Sequence, residues 1–400
     1  MKKKIAFVIP SLGVGGAEKS LIELIKNIDF NKYQIDLILF NTDGILTKEI
    51  DEHVQIHTLT EIEKLIFLNS KKSLFKLLEK KKFFLAIKKI FVSTLYKLSN
   101  ERINDAAISW LFFRRNFKKN NNKYDVVISY LQGKGAYYTV DKMDAPIKIL
   151  WVHTDYSRYY KGSKLDLTYV SKFNKIITVS QKAKNDIEKY FPEKSSHIHV
   201  ITNIIDENSI IQRAEENNNY FYDKNKVYIV SVGRLHYAKG FDMVIPAIKK
   251  LINEGFNIKW FIVGEGKERE KLKKIIENYD LSENCIMVGN QTNPYAFMKK
   301  SDVYLQSSRY EGYCITLAEA KILCKPIITT NFYGADEQIS HNENGLITDC
   351  NSESIYKSLK LLLKNENLIK KFESNLKENS YTNKKKESSV ENLYKILEKR

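Results

Sequence analysis

Short apolar runs alternate with longer stretches whose apolar positions recur every three or four residues, and this alternation continues along most of the chain. In the first half the runs read KIAFVIP, QIDLILF, VQIHTL, YDVVISYL, IKILWVH, KIITVS and HIHVITN. In the second half they read KVYIVSVG, IKWFIVG, CIMVGN, DVYLQSS, KPIITT and NGLITD. Runs this short, rich in Ile and Val, suit strands buried on both faces, and the amphipathic stretches between them supply the crossovers of a parallel sheet. The pattern therefore predicts an α/β protein with two Rossmann-like, doubly wound parallel-sheet domains.

The break between them falls in IDENSIIQRAEENNNYFYDKN, a polar, acidic, Asn-rich stretch that reads as a linker over 205–225. The domains are then 1–204 and 226–379. From 380 to 400 a polar break is followed by Val390, Leu393, Ile396 and Leu397 at helical spacing, which predicts a final helix packing back on the N-terminal domain.

Composition narrows this picture. The 400 residues are 43% hydrophobic, and no apolar run approaches the roughly 18 residues needed to span a bilayer. The opening MKKKIAFVIPSLGVGG imitates a signal peptide, but its apolar run ends at Pro10, so a first strand and a cytoplasmic protein are expected. Cys285, Cys314, Cys324 and Cys350 lie far apart with no CxxC pair, which supports neither a disulfide frame nor a zinc site. The formal charge of +17 marks an attractor of anions: nucleic acid, anionic lipid or a phosphorylated substrate. From Lys71 to Lys119 there are fourteen Lys or Arg against three acids. That segment belongs to a basic amphipathic insert of about 64–120. Its Leu74, Leu77, Leu78, Leu85, Ile90 and Leu98 are expected to share one helical face, leaving a lysine-rich face for an anionic membrane surface. Lysines interleaved with aromatics also suit single-stranded nucleic acid.

Ligands of open α/β sheets sit at the carboxyl ends of the strands, so those ends carry the candidate chemistry. After the first strand, Gly13, Gly15 and Gly16 precede a helix, a turn that lets backbone N–H groups approach a phosphate. The glycine that a dinucleotide fingerprint would need is replaced by Glu18. SVGRLHYAKGFDMVI places Arg234 and Lys239 five residues apart, able to converge on a diphosphate. FIVGEGKEREKL adds a second glycine turn. SSRYEGYCITLAEAKILCKPII places Glu311 in a loop and Glu319 in the helix that follows, with N–H donors near Ile315 and Thr316 for phosphate oxygens and Glu319 set to hold a ribose diol. IKILWVHTDYSRYY ends a strand at His153, a candidate partner for a sugar hydroxyl.

In their order and spacing, these motifs resemble glycosyltransferase family 4, the retaining nucleotide-sugar transferases with the GT-B fold, two domains facing a central cleft. The likeness is strongest over roughly 225–350. It implies that Arg234 and Lys239 hold the donor diphosphate, that Glu319 grips the nucleotide ribose, and that Glu311 lies by the donor sugar. Gly15 and Gly16 match the glycine turn of the N-terminal domain, and His153 a histidine on the acceptor side. No D-x-D pair occurs in the chain, and the resemblance implies a metal-independent reaction without a cofactor. It further implies a hexose-type sugar moved from a nucleotide donor, UDP-linked, to a lipid-linked glycan for a surface polysaccharide such as capsule or lipopolysaccharide, at the inner face of the cell membrane. On this reading no nucleic acid is a partner. A basic nucleic-acid-binding α/β protein and an NAD-dependent oxidoreductase are the alternatives. The chain departs from the family pattern at Cys324, where a glycine often precedes KP, and at Cys314 beside Tyr313.

Overall fold

The computed structural model describes residues 2–13, 15–68, 71–98, 104–160, 163–216, 223, 225–378 and 383–398. Among them, thirteen strands form two sheets, and each strand coincides with one of the apolar runs. The first sheet comprises β1 (Lys3–Ile9), β2 (Tyr33–Leu39), β3 (Gln55–Thr58), β4 (Val126–Ser129), β5 (Ile147–Val152), β6 (Lys175–Thr178) and β7 (Ile198–Val200). Its order is β3-β2-β1-β4-β5-β6-β7 and its pairings are parallel. The second comprises β8 (Val227–Val232), β9 (Ile258–Val263), β10 (Cys285–Gly289), β11 (Val303–Gln306), β12 (Ile327–Thr330) and β13 (Leu346–Thr348). Its order is β10-β9-β8-β11-β12-β13, again parallel.

Burial on both faces explains the strand sequences. Trp260 and Ile262 of β9 pack into one apolar layer and the alternating Phe261 and Val263 into the other, as a period of two requires. In each sheet the strand order reverses beside the first strand: β1 lies between β2 and β4, and β8 between β9 and β11. Two neighbouring strands whose crossovers leave in opposite directions open a crevice at their carboxyl ends, where such sheets bind ligands.

The chain divides into two compact units, Met1–Ile204 with Lys386–Arg400, and Ile205–Lys385. The stretch read as a linker is structured at its start. Helix Glu207–Ala214 buries Ile210 and Ala214 with Ile205 against the second sheet's core. Asp206, one of the acidic residues that suggested a linker, caps this helix, accepting from the Ser209 N–H. Residues 217–222 and 224 lie outside the described set. The terminal helix Asn383–Glu398 belongs, from Lys386 onward, to the first unit. There Leu393 and Leu397 are buried, Tyr394 stacks on Tyr33 at 5.1 Å, and Lys3 and Lys175 donate to the Leu397 and Ile396 carbonyls, each at 2.5 Å.

The basic insert between β3 and β4 differs from the single face expected of it. The chain turns at Lys80–Lys82, where Lys81 has φ 55°, and this turn divides the stretch into helices Lys71–Glu79 and Phe83–Leu98. One helical period cannot run through such a turn. Leu77 and Leu85 are buried and Leu74 packs beside them, whereas Leu78, Ile90 and Leu98 are exposed.

Candidate active site

The switch point of the second sheet carries the two motifs that matter most. Arg234 and Lys239 follow β8, and Glu311 follows its neighbour β11. The loop after β8 lies flat on the loop after β9. The Gly233 N–H donates to the Val263 carbonyl at 2.9 Å and the Leu235 N–H to the Glu265 carbonyl at 2.9 Å. Gly264 makes this approach possible: its φ is +144°, and a Cβ there would stand 2.0 Å from the Gly233 oxygen. The same holds at Gly240, φ +64°, where a Cβ would meet the Ser307 oxygen at 2.1 Å. The two motif loops are thus pressed backbone to backbone.

That contact brings Lys239 to Glu311. The Nζ donates to Oε1 at 2.6 Å, with the side chains 17% and 16% exposed. Burial pulls the lysine pKa down, but the Glu311 charge, the neighbouring Cys314 and the hydrogen bond to Glu311 together outweigh it and hold the ammonium above its ordinary value, with Arg234 opposing through its own charge. Lys239 is therefore a fixed cation. Glu311 is oriented from beneath: Ser308 Oγ donates to Oε1 at 2.6 Å, Gln306 Nε2 donates to Ser308 Oγ at 2.6 Å, and the Tyr304 hydroxyl donates to Gln306 Oε1 at 2.7 Å. Arg234 is exposed at the mouth of this arrangement.

Helix Ile315–Ile322 starts beside Glu311. Its N-cap, Cys314, has φ 53° and ψ 74°, and no side chain caps it. The Leu317 and Ala318 N–H groups return to the Cys314 carbonyl at 3.0 and 3.4 Å. Ile315 and Thr316 thus present the leading N–H groups of a helix start, where an anion is favoured. One turn further, Glu319 is 1% exposed and accepts from the Tyr295 hydroxyl at 2.9 Å.

The remaining candidates belong to the first unit. Gly15 is the N-cap and Gly16 the first residue of helix Gly16–Lys26, at the carboxyl end of β1. The Glu18 carboxylate folds back over this turn, so that a Cβ on Gly15 would lie 2.2 Å from its Oε2. His153 follows β5, its ring 4.7 Å from that of Tyr130 and stacked on Trp151 at 5.8 Å. Burial lowers its pKa to about 3, with Asn203 working the other way, so the imidazole is neutral and can serve only as a hydrogen-bonding group near neutral pH. The structure therefore joins Arg234, Lys239, Glu311, Ile315, Thr316 and Glu319 in one unit, and places Gly15, Gly16 and His153 at strand ends of the other.

Sequence reading missed Arg309. Its guanidinium grips both Asp242 oxygens, at 2.8 and 2.7 Å, donates to the Tyr237 carbonyl at 2.9 Å and lies 4.1 Å over the Tyr237 ring, while its backbone N–H donates to the Ala238 carbonyl at 2.7 Å. It pins the Lys239 loop to the Glu311 loop. No spacing rule links Arg309 to Asp242, which lies 67 positions away. Tyr295 likewise carries no motif signal.

A family model described as "Glycosyl transferases group 1" matches residues 212–382. The N-acetylgalactosamine-N,N'-diacetylbacillosaminyl-diphospho-undecaprenol 4-alpha-N-acetylgalactosaminyltransferase of Campylobacter jejuni is 27% identical over 377 residues, 94% of each chain. The poly(ribitol-phosphate) alpha-N-acetylglucosaminyltransferase of Staphylococcus aureus is 25% identical over 59% of this chain and 46% of its own. Among solved structures, Anabaena Alr3699/HepE in complex with UDP and glucose superposes with TM-score 0.70 at 17% identity, covering 99% of both chains. A mutant of S. aureus TarM in complex with Fondaparinux, alpha-GlcNAc-glycerol and UDP gives 0.70 at 17%, covering 99% of this chain and 100% of that one. The chain has the GT-B fold, and its residues 212–382 match the group 1 glycosyl transferases.

Proposed function

We propose that this glycosyltransferase is a retaining, metal-independent enzyme of the family 4 kind, moving a hexose-type sugar from a UDP-sugar to a lipid-linked glycan on the inner face of the cell membrane, for a surface polysaccharide such as capsule or lipopolysaccharide. The observation that carries this reading is the convergence of Lys239, Glu311 and the Ile315–Ile322 helix start on one switch point. UDP in the HepE and TarM structures, and the diphospho-undecaprenol named in the Campylobacter relative, favour this donor and acceptor.

The residues divide the work by charge. An ammonium has three N–H donors. Lys239 gives one to Glu311 and keeps others for a diphosphate, with Arg234 beside it and the Ile315 and Thr316 N–H groups completing the cradle. As the glycosidic C–O bond breaks, negative charge grows on the leaving phosphate, and fixed cations stabilise it without reorganising. The acceptor hydroxyl attacks from the face the phosphate leaves, and its proton passes to a phosphate oxygen. Glu311 sits by the sugar, Glu319 accepts from the ribose diol, and neutral His153, with Gly15 and Gly16, serves the first unit's side of the reaction.

Calorimetric titration with nucleoside diphosphates, without divalent metal, tests the donor site. UDP should bind, and Lys239→Ala and Glu319→Ala should each weaken it at least tenfold. Binding only with added metal, or binding indifferent to both substitutions, would overturn the reading.

A further inference from the structure

We propose that helix Phe83–Leu98 inserts an outward aromatic face into the headgroup and acyl boundary of an anionic lipid membrane. This rests on the membrane-peripheral location proposed above and gives that location a mechanism other than charge alone.

The helix is apolar on two opposite faces. Leu85, Ala86 and Val92 are buried in the first unit's core. Lys89 shares that inner side, its Nζ donating to the Leu65 carbonyl at 2.5 Å and to Ser73 Oγ at 2.8 Å. The buried contacts and this tethered lysine fix the helix's rotation. On the other side Phe83, Phe84, Ile87, Ile90, Phe91 and Leu98 are between 51% and 76% exposed. At roughly 100° per residue they fall within an arc of about 120°. Phe75 of the preceding helix, 65% exposed, adds to the same apolar set of the insert. A soluble surface scatters its exposed apolar residues; six on one helical arc, shared there with Thr94, mark an interaction face.

Charge identifies the occupant. Residues 71–98 contain nine lysines and a single acid, Glu79. Lys71, Lys72, Lys76, Lys81, Lys82 and Lys97 are exposed, and the Lys88 ammonium lies 5.9 Å from the Phe84 ring centre and 5.3 Å from that of Phe113. Lysines bordering an apolar face can lay their stems along it and raise their ammonium groups to phosphates. A second copy of this chain on that face would set lysine against lysine, which disfavours it. Anionic lipid supplies both the apolar depth and the opposite charge.

The test uses the full chain with Phe84→Trp. The native tryptophans, Trp110, Trp151 and Trp260, are at most 2% exposed and make a constant background. Vesicles of phosphatidylglycerol and phosphatidylcholine should shift the emission of the introduced indole to the blue, and brominated acyl chains should quench it. Phe84→Asp with Ile87→Asp should weaken vesicle binding at least tenfold, with UDP affinity, read at residues of the other unit, unchanged as evidence of folding. Binding without a blue shift, lost entirely in high salt, would overturn insertion while leaving the peripheral location standing. No binding to these vesicles would overturn both. Self-association in the ultracentrifuge that the double substitution abolishes, without vesicle binding, would assign the face to a second copy and also overturn insertion.

Discussion

At the scale of single residues, the Lys239–Glu311 pair separates chemistry from stability. Glu311→Gln keeps an acceptor above Ser308 for the Lys239 ammonium but removes its paired charge, so kcat should fall about 100-fold with a smaller loss of stability than removing the lysine causes. Lys239→Met instead strands a carboxylate that is 16% exposed, and should cost about 2–3 kcal/mol in addition to activity; differential scanning calorimetry beside a transfer assay distinguishes the two. Cys324 has φ 51°, in the left-handed region where the family pattern often has glycine. That conformation costs a non-glycine residue about 1–2 kcal/mol, partly offset by the greater unfolded entropy of glycine. Cys324→Gly should therefore raise stability by up to about 1 kcal/mol, visible as a melting temperature higher by a few degrees. His153 supplies a pH signature. Its folded pKa, about 3, lies below the unfolded value, so between the two the unfolded chain binds the extra proton. Stability is then retained above about pH 6.5 and lost as pH falls below it. Between pH 6.5 and 5.5 this single group should contribute a loss of about 1 kcal/mol, absent from His153→Gln in urea titrations at the two pH values.

At the scale of elements, Arg309 positions the site without entering it. Replacing its planar fork by an ammonium keeps the charge but cannot hold both Asp242 oxygens and the Tyr237 ring together. Arg309→Lys should loosen the Lys239 loop, raising the donor KM about tenfold with a smaller change in kcat, and Asp242→Asn should reproduce the effect. What the sequence disclosed follows the same line. Thirteen strands were legible because each is a short apolar run buried on both faces, and the glutamate and cation motifs were legible because one loop or one helix turn sets their spacing. Arg309–Asp242 and Tyr295–Glu319 were not, because tertiary contact alone brings them together. The basic insert misled because periodicity was carried through Lys81, where the backbone turns, and because an outward aromatic face and an inward one look alike in a string of letters.

At the scale of the whole molecule, the terminal helix matters beyond its length. Leu393 and Leu397 are 0% and 1% exposed, and Lys3 and Lys175 of the first sheet donate into its last turn. Leu393→Ala should cost about 2–5 kcal/mol as a cavity in the first unit, and removal of 386–400 should destabilise that unit selectively, which hydrogen exchange resolved by segment would show as lost protection in β1 and β6 with β8 and β9 unaffected. The first unit is also built from both ends of the described chain, with the second unit carried between them. A nascent chain made only as far as residue 385 thus holds every residue of the second unit and an unfinished first one, so of the two units the one begun earlier is completed later, and in the interval the apolar seam that Leu393 and Leu397 cover stands open to water.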